Sequence, residues 1–248
     1  VGILLANLIP ERTDLRVGEV AKRDITAPKT IVNQYRTDQL KAEAADQAAQ
    51  KAAEDEANYT IDENVVISAK EKLGAAFDVI EGARAGRSAA QTQNGGSEPS
   101  TPSDSELSFS EADIEQVQTL IETEATLTMD KQTIVTLLRL PVGQFQAVEN
   151  ASLAIAENLL GSERISQGRV AEILQSIPER VSDYLVRADL DTVLPKASRD
   201  AIVASVMEVV QPNLKLDDKK IADIRTQAMA QIEPVMVLQG EIVVRRGD

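Results

Sequence analysis

The sequence predicts a mainly α protein with a small β element, a helical body whose N- and C-terminal strands form a small sheet. Three observations predict it. Most of the chain is written in Ala, Glu, Gln, Leu and Ile, with apolar residues at helical spacing. Its two ends, "GEVAKRDITAPKT" and "PVMVLQGEIVVRRGD", instead carry β-branched residues around turn-forming Pro and Gly. Aromatic residues are only 2% of the 248 residues while hydrophobic residues are 43%, so the core must be packed by aliphatic side chains.

The elements follow in order. Residues 1–36 read as an N-terminal extended segment. Its first ten residues, "VGILLANLIP", are apolar but well short of the ~20 needed to span a bilayer as a helix. They fit the trailing end of a membrane helix, or a core strand or helix, and they lack the basic n-region and cleavage site of a signal peptide. Pro28 pushes Ala27 away from helical geometry, and Ile31 and Val32 favour a strand.

Residues 37–80 read as an Ala-rich, acidic helical region. Thr37 is the expected N-cap, and Ala45, Ala49, Ala52 and Ala53 form a thin apolar seam. Between Thr37 and Asn64 eight acidic residues face two lysines, so the outer face is acidic. Residues 81–109 contain mostly Gly, Ser, Thr, Pro and Gln and read as a flexible insertion. It either separates two lobes or decorates one domain.

Residues 110–233 read as the helical body. Ser110 with Asp113 predicts a capping box ahead of the Ile114, Val117, Ile121 and Ala125 stripe. Helices are expected at 130–140, 142–160, 167–176, 178–187, 196–210 and 217–233, with Pro141 and Pro178 in first turns. Residues 234–248 read as a C-terminal β hairpin turning at Gln239-Gly240.

The ends also echo one another. Pro28 precedes Leu40-Lys41 and Ala44 at the spacing by which Pro212 precedes Ile224-Arg225 and Ala228. Gly18–Val20 matches Gly240–Ile242, and pairing of those two segments would set the chain's entry beside its exit.

Composition removes whole classes of chemistry. Without cysteine there are no disulfides, thiolate nucleophiles or Cys-based metal sites, and without histidine no Ser-His-Asp triad or His-held metal. No cofactor is expected. A net charge of −14 and few aromatics exclude nucleic acid, whose affinity comes from Lys and Arg and from base stacking. The acidic pairs at Asp189 and Asp217 lack EF-hand spacing, Asp217 and Asp218 fit instead the capping and dipole of a helix N-terminus, and "GARAG" lacks the Lys-Ser/Thr of a phosphate loop.

Together, "VGEVAKRDITAPKTI", "NYTID", "QPNLKLDDKKIADIRTQA" and "EPVMVLQGEIVVRRGD" resemble the extracytoplasmic domain of bacterial seven-transmembrane receptors with a cytosolic HD phosphohydrolase. The matching positions are Gly18, Asp24, Ile25, Ala27 and Pro28, then Pro212, Asn213, Arg225, Ala228, Val235, Gly240, Ile242, Val243 and Gly247.

The resemblance implies a domain on the outer face of the membrane, its small sheet at the membrane-proximal end, in a parent protein that hydrolyses cyclic di-AMP. No catalytic residue carries over, because that chemistry uses histidine. Gly18, Asp24, Ile25, Pro28, Pro212, Asn213, Arg225, Gly240 and Gly247 are then structural or coupling residues. The implied partners are the protein's own transmembrane bundle, an outside ligand or protein, and a second copy. A competing reading is a periplasmic helical interaction protein, a chaperone or envelope adaptor, which leaves the paired end motifs unexplained.

Overall fold

A computed structural model describes residues 19–94 and 109–247. Gly18, the "VGILLANLIP" run and residues 95–108 lie outside the described residues. The chain divides into two compact units, Val1–Tyr59 with Leu216–Asp248, and Thr60–Lys215. The first unit is therefore built from both ends of the sequence, and the second from its middle.

In the terminal unit, α1 (Gln34–Ala52) packs along α8 (Asp218–Ala230). The predicted seam is present: Ala45, Ala49 and Ala52 are buried, and Ala53 is half-buried. Facing it, Ile221, Ile224 and Ala228 of α8 are half-buried at helical spacing. Alanine side chains let the two helices approach closely but remove little apolar area from water.

The α1 cap differs from expectation. Asn33 is the N-cap, accepting the Arg36 N–H at 3.0 Å, and Thr37 lies inside the helix. Thr37 is buried; its hydroxyl donates to the Asn33 carbonyl at 2.8 Å and accepts the Val235 N–H at 2.9 Å. At α8 the expected cap holds, with the Asp217 carboxylate accepting the Lys219 and Lys220 N–H groups.

Four short strands complete this unit. β1 (Ile25–Thr26) pairs antiparallel with β6 (Ile242–Val244), and β2 (Ile31–Val32) with β5 (Met236–Val237). The expected C-terminal hairpin is thus corrected. The turn forms, with the Glu241 N–H bonded to the Leu238 carbonyl, but among the described residues β5 and β6 do not pair with each other. Each is taken by an N-terminal strand. β3 (Tyr59–Ile61) pairs with β4 (Leu214–Leu216), the two places where the chain passes from one unit to the other.

The middle unit contains α2 (Glu63–Asn94), α3 (Glu111–Leu120), α4 (Lys131–Arg139), α5 (Val142–Ser162), α6 (Val170–Arg187) and α7 (Lys196–Val209). α2 packs on α5, α5 on α7, and α4 and α6 also on α7. The core is aliphatic, as the composition requires, around one aromatic pair. Phe77 and Phe145 meet edge to face with ring centroids 5.7 Å apart. The predicted Ser110–Asp113 capping box opens α3.

Three sequence boundaries shift. Residues 81–94, expected to be flexible, are the last turns of α2. Their first residues are held in the helix because Ile80, Ala83 and Arg84 sit on the face that packs against the core. The expected break at Pro178 is absent, and α6 runs through it. Proline only removes one backbone donor and crowds one carbonyl. The stripe Ile173, Ile177, Val181 and Leu185 is buried on both sides of it and outweighs that loss. Finally, α8, read from sequence as part of the helical body, belongs with α1.

Candidate functional site

Strand pairing between the two chain ends follows one antiparallel register on either side of a bulge at Ile25. The Gly247 N–H donates to the Ala21 carbonyl at 2.9 Å, and the Ala27 N–H donates to the Glu241 carbonyl at 2.9 Å. Ile31 faces Val237, Val32 faces Met236, and the Asn33 N–H donates to the Val235 carbonyl at 2.7 Å. A bulge between Ile25 and Thr26 displaces the register by one at Ile25–Val244. β1–β6 and β2–β5 are therefore two parts of a single ribbon in which residues 21–33 lie against 235–247.

The sequence explains the interruption between the two ladders. Pro28 has no N–H to offer a neighbouring strand. Gly240, which the register sets opposite it, has φ +87 and donates its N–H to the Ala27 carbonyl at 2.9 Å. That backbone conformation is open to glycine and strained for L side chains. Side chains close the remaining gaps. Thr30 Oγ1 accepts the Gln239 N–H at 3.2 Å, and Asp24 Oδ1 accepts the Arg246 N–H at 2.7 Å, just before Gly247 turns the chain at φ +97.

Five of the nine residues singled out from sequence meet here: Asp24, Ile25, Pro28, Gly240 and Gly247. Gly18 lies outside the described residues, but Glu19 and Val20 are in no strand. Gly240–Ile242 lies instead against Thr26–Pro28, so the two Gly-Glu motifs are not paired with each other. The other three stand elsewhere. Arg225 projects from α8 to Asp46 of α1, with N···O at 3.3 Å. Pro212 is exposed, and it precedes the buried Asn213 in the middle unit.

Asn213 ties the end of α5 to the segment that follows it. Its Nδ2 donates to the Leu160 and Glu163 carbonyls at 2.7 Å each, and its Oδ1 accepts the Ile165 N–H at 2.7 Å. All three bonds go to backbone, so only an amide of this size with both donors and an acceptor satisfies them.

Arg84 escaped the sequence reading because "EGARAGR" has the composition of a loop. It is buried; Nη1 donates to the Leu137 carbonyl at 2.6 Å and Nη2 to the Leu140 carbonyl at 2.6 Å. These carbonyls lie at the end of α4, where the Leu140 N–H gives the Leu137 carbonyl a long bond of 3.4 Å. The guanidinium also sits 4.6 Å from the Phe145 ring centroid. Burial pushes its pKa down, with Glu81 partly opposing, and it remains a cation.

Two concave regions are formed by described residues of the middle unit. One of about 480 Å³ runs between α2 and α3 and is lined by Gly82, Gly86, Val117 and Leu120. The other, of about 570 Å³, lies between α5 and α6 and is lined by Asn158, Arg180, Tyr184 and Arg187. Arg180 is already engaged, with Nη1 3.0 Å from Glu163 and Nε donating to Ser176 Oγ at 2.9 Å. Among the described residues no group of three acidic side chains is placed to hold a metal ion, and no helix is long and apolar enough to cross a membrane.

The family model described as "7TM-HD extracellular" matches residues 16–248, from just before the ribbon to its end. The chain belongs to this family. It is an extracytoplasmic domain of an integral membrane protein, and the HD part of that architecture is not in a chain without histidine. The cyclic-di-AMP phosphodiesterase PgpH of Bacillus subtilis (strain 168) is similar to it, 22% identical over 246 residues. That alignment covers 99% of this chain and 30% of the relative. No solved structure matches.

Proposed function

We propose that this chain is the non-catalytic sensor domain of a membrane-bound HD-type cyclic di-AMP phosphodiesterase, coupling an outside signal to hydrolysis inside. The observation that carries this reading is the single-register ribbon. It holds residues 21–33 and 235–247 together by backbone hydrogen bonds, so the two ends of the domain do not move independently. In a domain flanked by membrane segments at both ends, such a ribbon fixes the spacing of those segments.

The signal enters as differential binding. A ligand or protein partner shifts the equilibrium only by the difference in its affinity for two arrangements of the domain. The chain passes between its units at β3 and β4, and Asn213 stands directly before β4. Eight residues then act in three roles. Asp24, Ile25, Pro28, Gly240 and Gly247 shape the ribbon. Arg225 holds α8 to α1, and Pro212 and Asn213 fix the approach to β4.

The test is the full-length protein in membrane vesicles with residues 19–247 replaced by a short flexible linker. The reading predicts cyclic di-AMP hydrolysis that persists at a rate several-fold different from the intact protein. An unchanged rate contradicts it.

A further inference from the structure

The ribbon leaves apolar residues in water on both faces. Cross-strand partners Val32 and Met236 are both exposed, as are Ile31, Leu238, Ile242 and Val243. Tyr35, at the start of α1 beside the ribbon, is 74% exposed. A two-stranded ribbon gains little stability by itself, and β-branched residues open on both faces mark a surface that meets something less polar than water.

Its charge says what. The segments 19–29 and 238–247 hold five basic residues, Lys22, Arg23, Lys29, Arg245 and Arg246, against three acidic ones, Glu19, Asp24 and Glu241, in a chain of net charge −14. Two of those acids are exposed and keep their charge while held by backbone N–H groups, Asp24 accepting from Arg246 and Glu241 from Leu238 at 2.9 Å, so the two segments carry an excess of two positive charges. Pairing of Ala21 with Gly247 brings the Lys22-Arg23 turn against Arg245-Arg246. The acidic remainder is screened beyond about 10 Å at ordinary salt, so an approaching surface feels this local cationic end.

We propose that the ribbon end of the terminal unit docks on an anionic lipid bilayer, Lys22 and Arg246 meeting headgroup phosphates while Ile242 and Val243 enter the interface. Short apolar side chains flanked by cations fit that boundary better than a dry protein interface, which is depleted in charge. The inference rests on the family membership and not on the coupling mechanism, which fails or stands by the linker replacement.

The experiment is co-sedimentation of the 248-residue chain with vesicles of phosphatidylcholine alone or with about one third phosphatidylglycerol. Binding should require the anionic lipid and fall steeply at high salt. Each basic residue at an anionic surface is worth about fivefold in partitioning, so Lys22→Gln with Arg246→Gln should weaken binding about 25-fold. Ile242→Ser with Val243→Ser should weaken it several-fold at every salt concentration, and helicity by circular dichroism should be unchanged in both variants. Four outcomes overturn the proposal. These are absence of binding, equal binding to both vesicles, binding that both variants retain in full (assigning it to the Val1–Pro10 run), or a concentration-dependent dimer that both variants abolish without any lipid binding.

Discussion

Arg84 acts as a C-terminal cap supplied from another helix, and its replacement tests that role. Arg84→Met keeps the aliphatic stem over Phe145 but strips donors from the buried α4 carbonyls. It should cost about 3 kcal/mol, lowering Tm by roughly 6–12 °C in thermal denaturation. Arg84→Lys should rescue only part of this, since an ammonium cannot fork across Leu137 and Leu140. Glu149 makes the opposite case. Burial first, then repulsion from Glu81 and Asp78, raises its carboxyl pKa above the ordinary 4.5. A carboxyl that holds its proton more tightly when folded loses folded-state stability as pH rises from its unfolded pKa through the raised one. Glu149→Gln should therefore raise Tm by about 1 °C at pH 7, a gain kept small by solvent screening, and change nothing below pH ~4. None of this was legible from sequence, because burial and charge proximity across α2, α4 and α5 are products of packing.

Glycines separate two uses of one residue at the level of elements. Gly82 lies inside α2, where an added Cβ meets no atom within 4 Å. Gly82→Ala should stabilise the chain by about 0.5–1 kcal/mol through helix propensity alone, read from a denaturant midpoint. Gly240 also has space for a Cβ, yet its φ of +87 makes any L side chain strained. Gly240→Ala should destabilise the ribbon by about 1–2 kcal/mol, seen as roughly tenfold faster amide exchange at Ala27. Sequence showed the caps at Ser110 and Asp217, because a cap is a local hydrogen bond within one turn. It showed the alanine seam of α1 for the same reason. The continuation of α2 as far as Arg84 and the continuity of α6 through Pro178 were misread, since both depend on a buried stripe that outweighs local propensity. The hairpin was misread in a similar way. The Gln239-Gly240 turn is local, whereas the choice of partner strand is set by residues more than two hundred positions away.

For the molecule as a whole, the echo between its ends proved the most informative sequence feature, though not in the register it suggested. Gly18–Val20 does not pair with Gly240–Ile242; residues 21–33 pair with 235–247, and the proline and glycine of the two motifs mark the gap between the ladders. The central claim is that this ribbon transmits state between the ends of the domain. The absence of cysteine from the chain makes a direct measurement clean. Ile25 and Val244 face each other across the ladder, where Cα atoms lie about 4.5–5.5 Å apart, within reach of a disulfide. Ile25→Cys with Val244→Cys in the full-length protein, in a background free of other cysteines, allows the ribbon to be locked by oxidation and released by reduction. Cyclic di-AMP hydrolysis is then measured in both states, with each single-cysteine variant as control. The account predicts a several-fold, reversible difference between oxidised and reduced double variant and none in the controls; identical rates in the two states would contradict it.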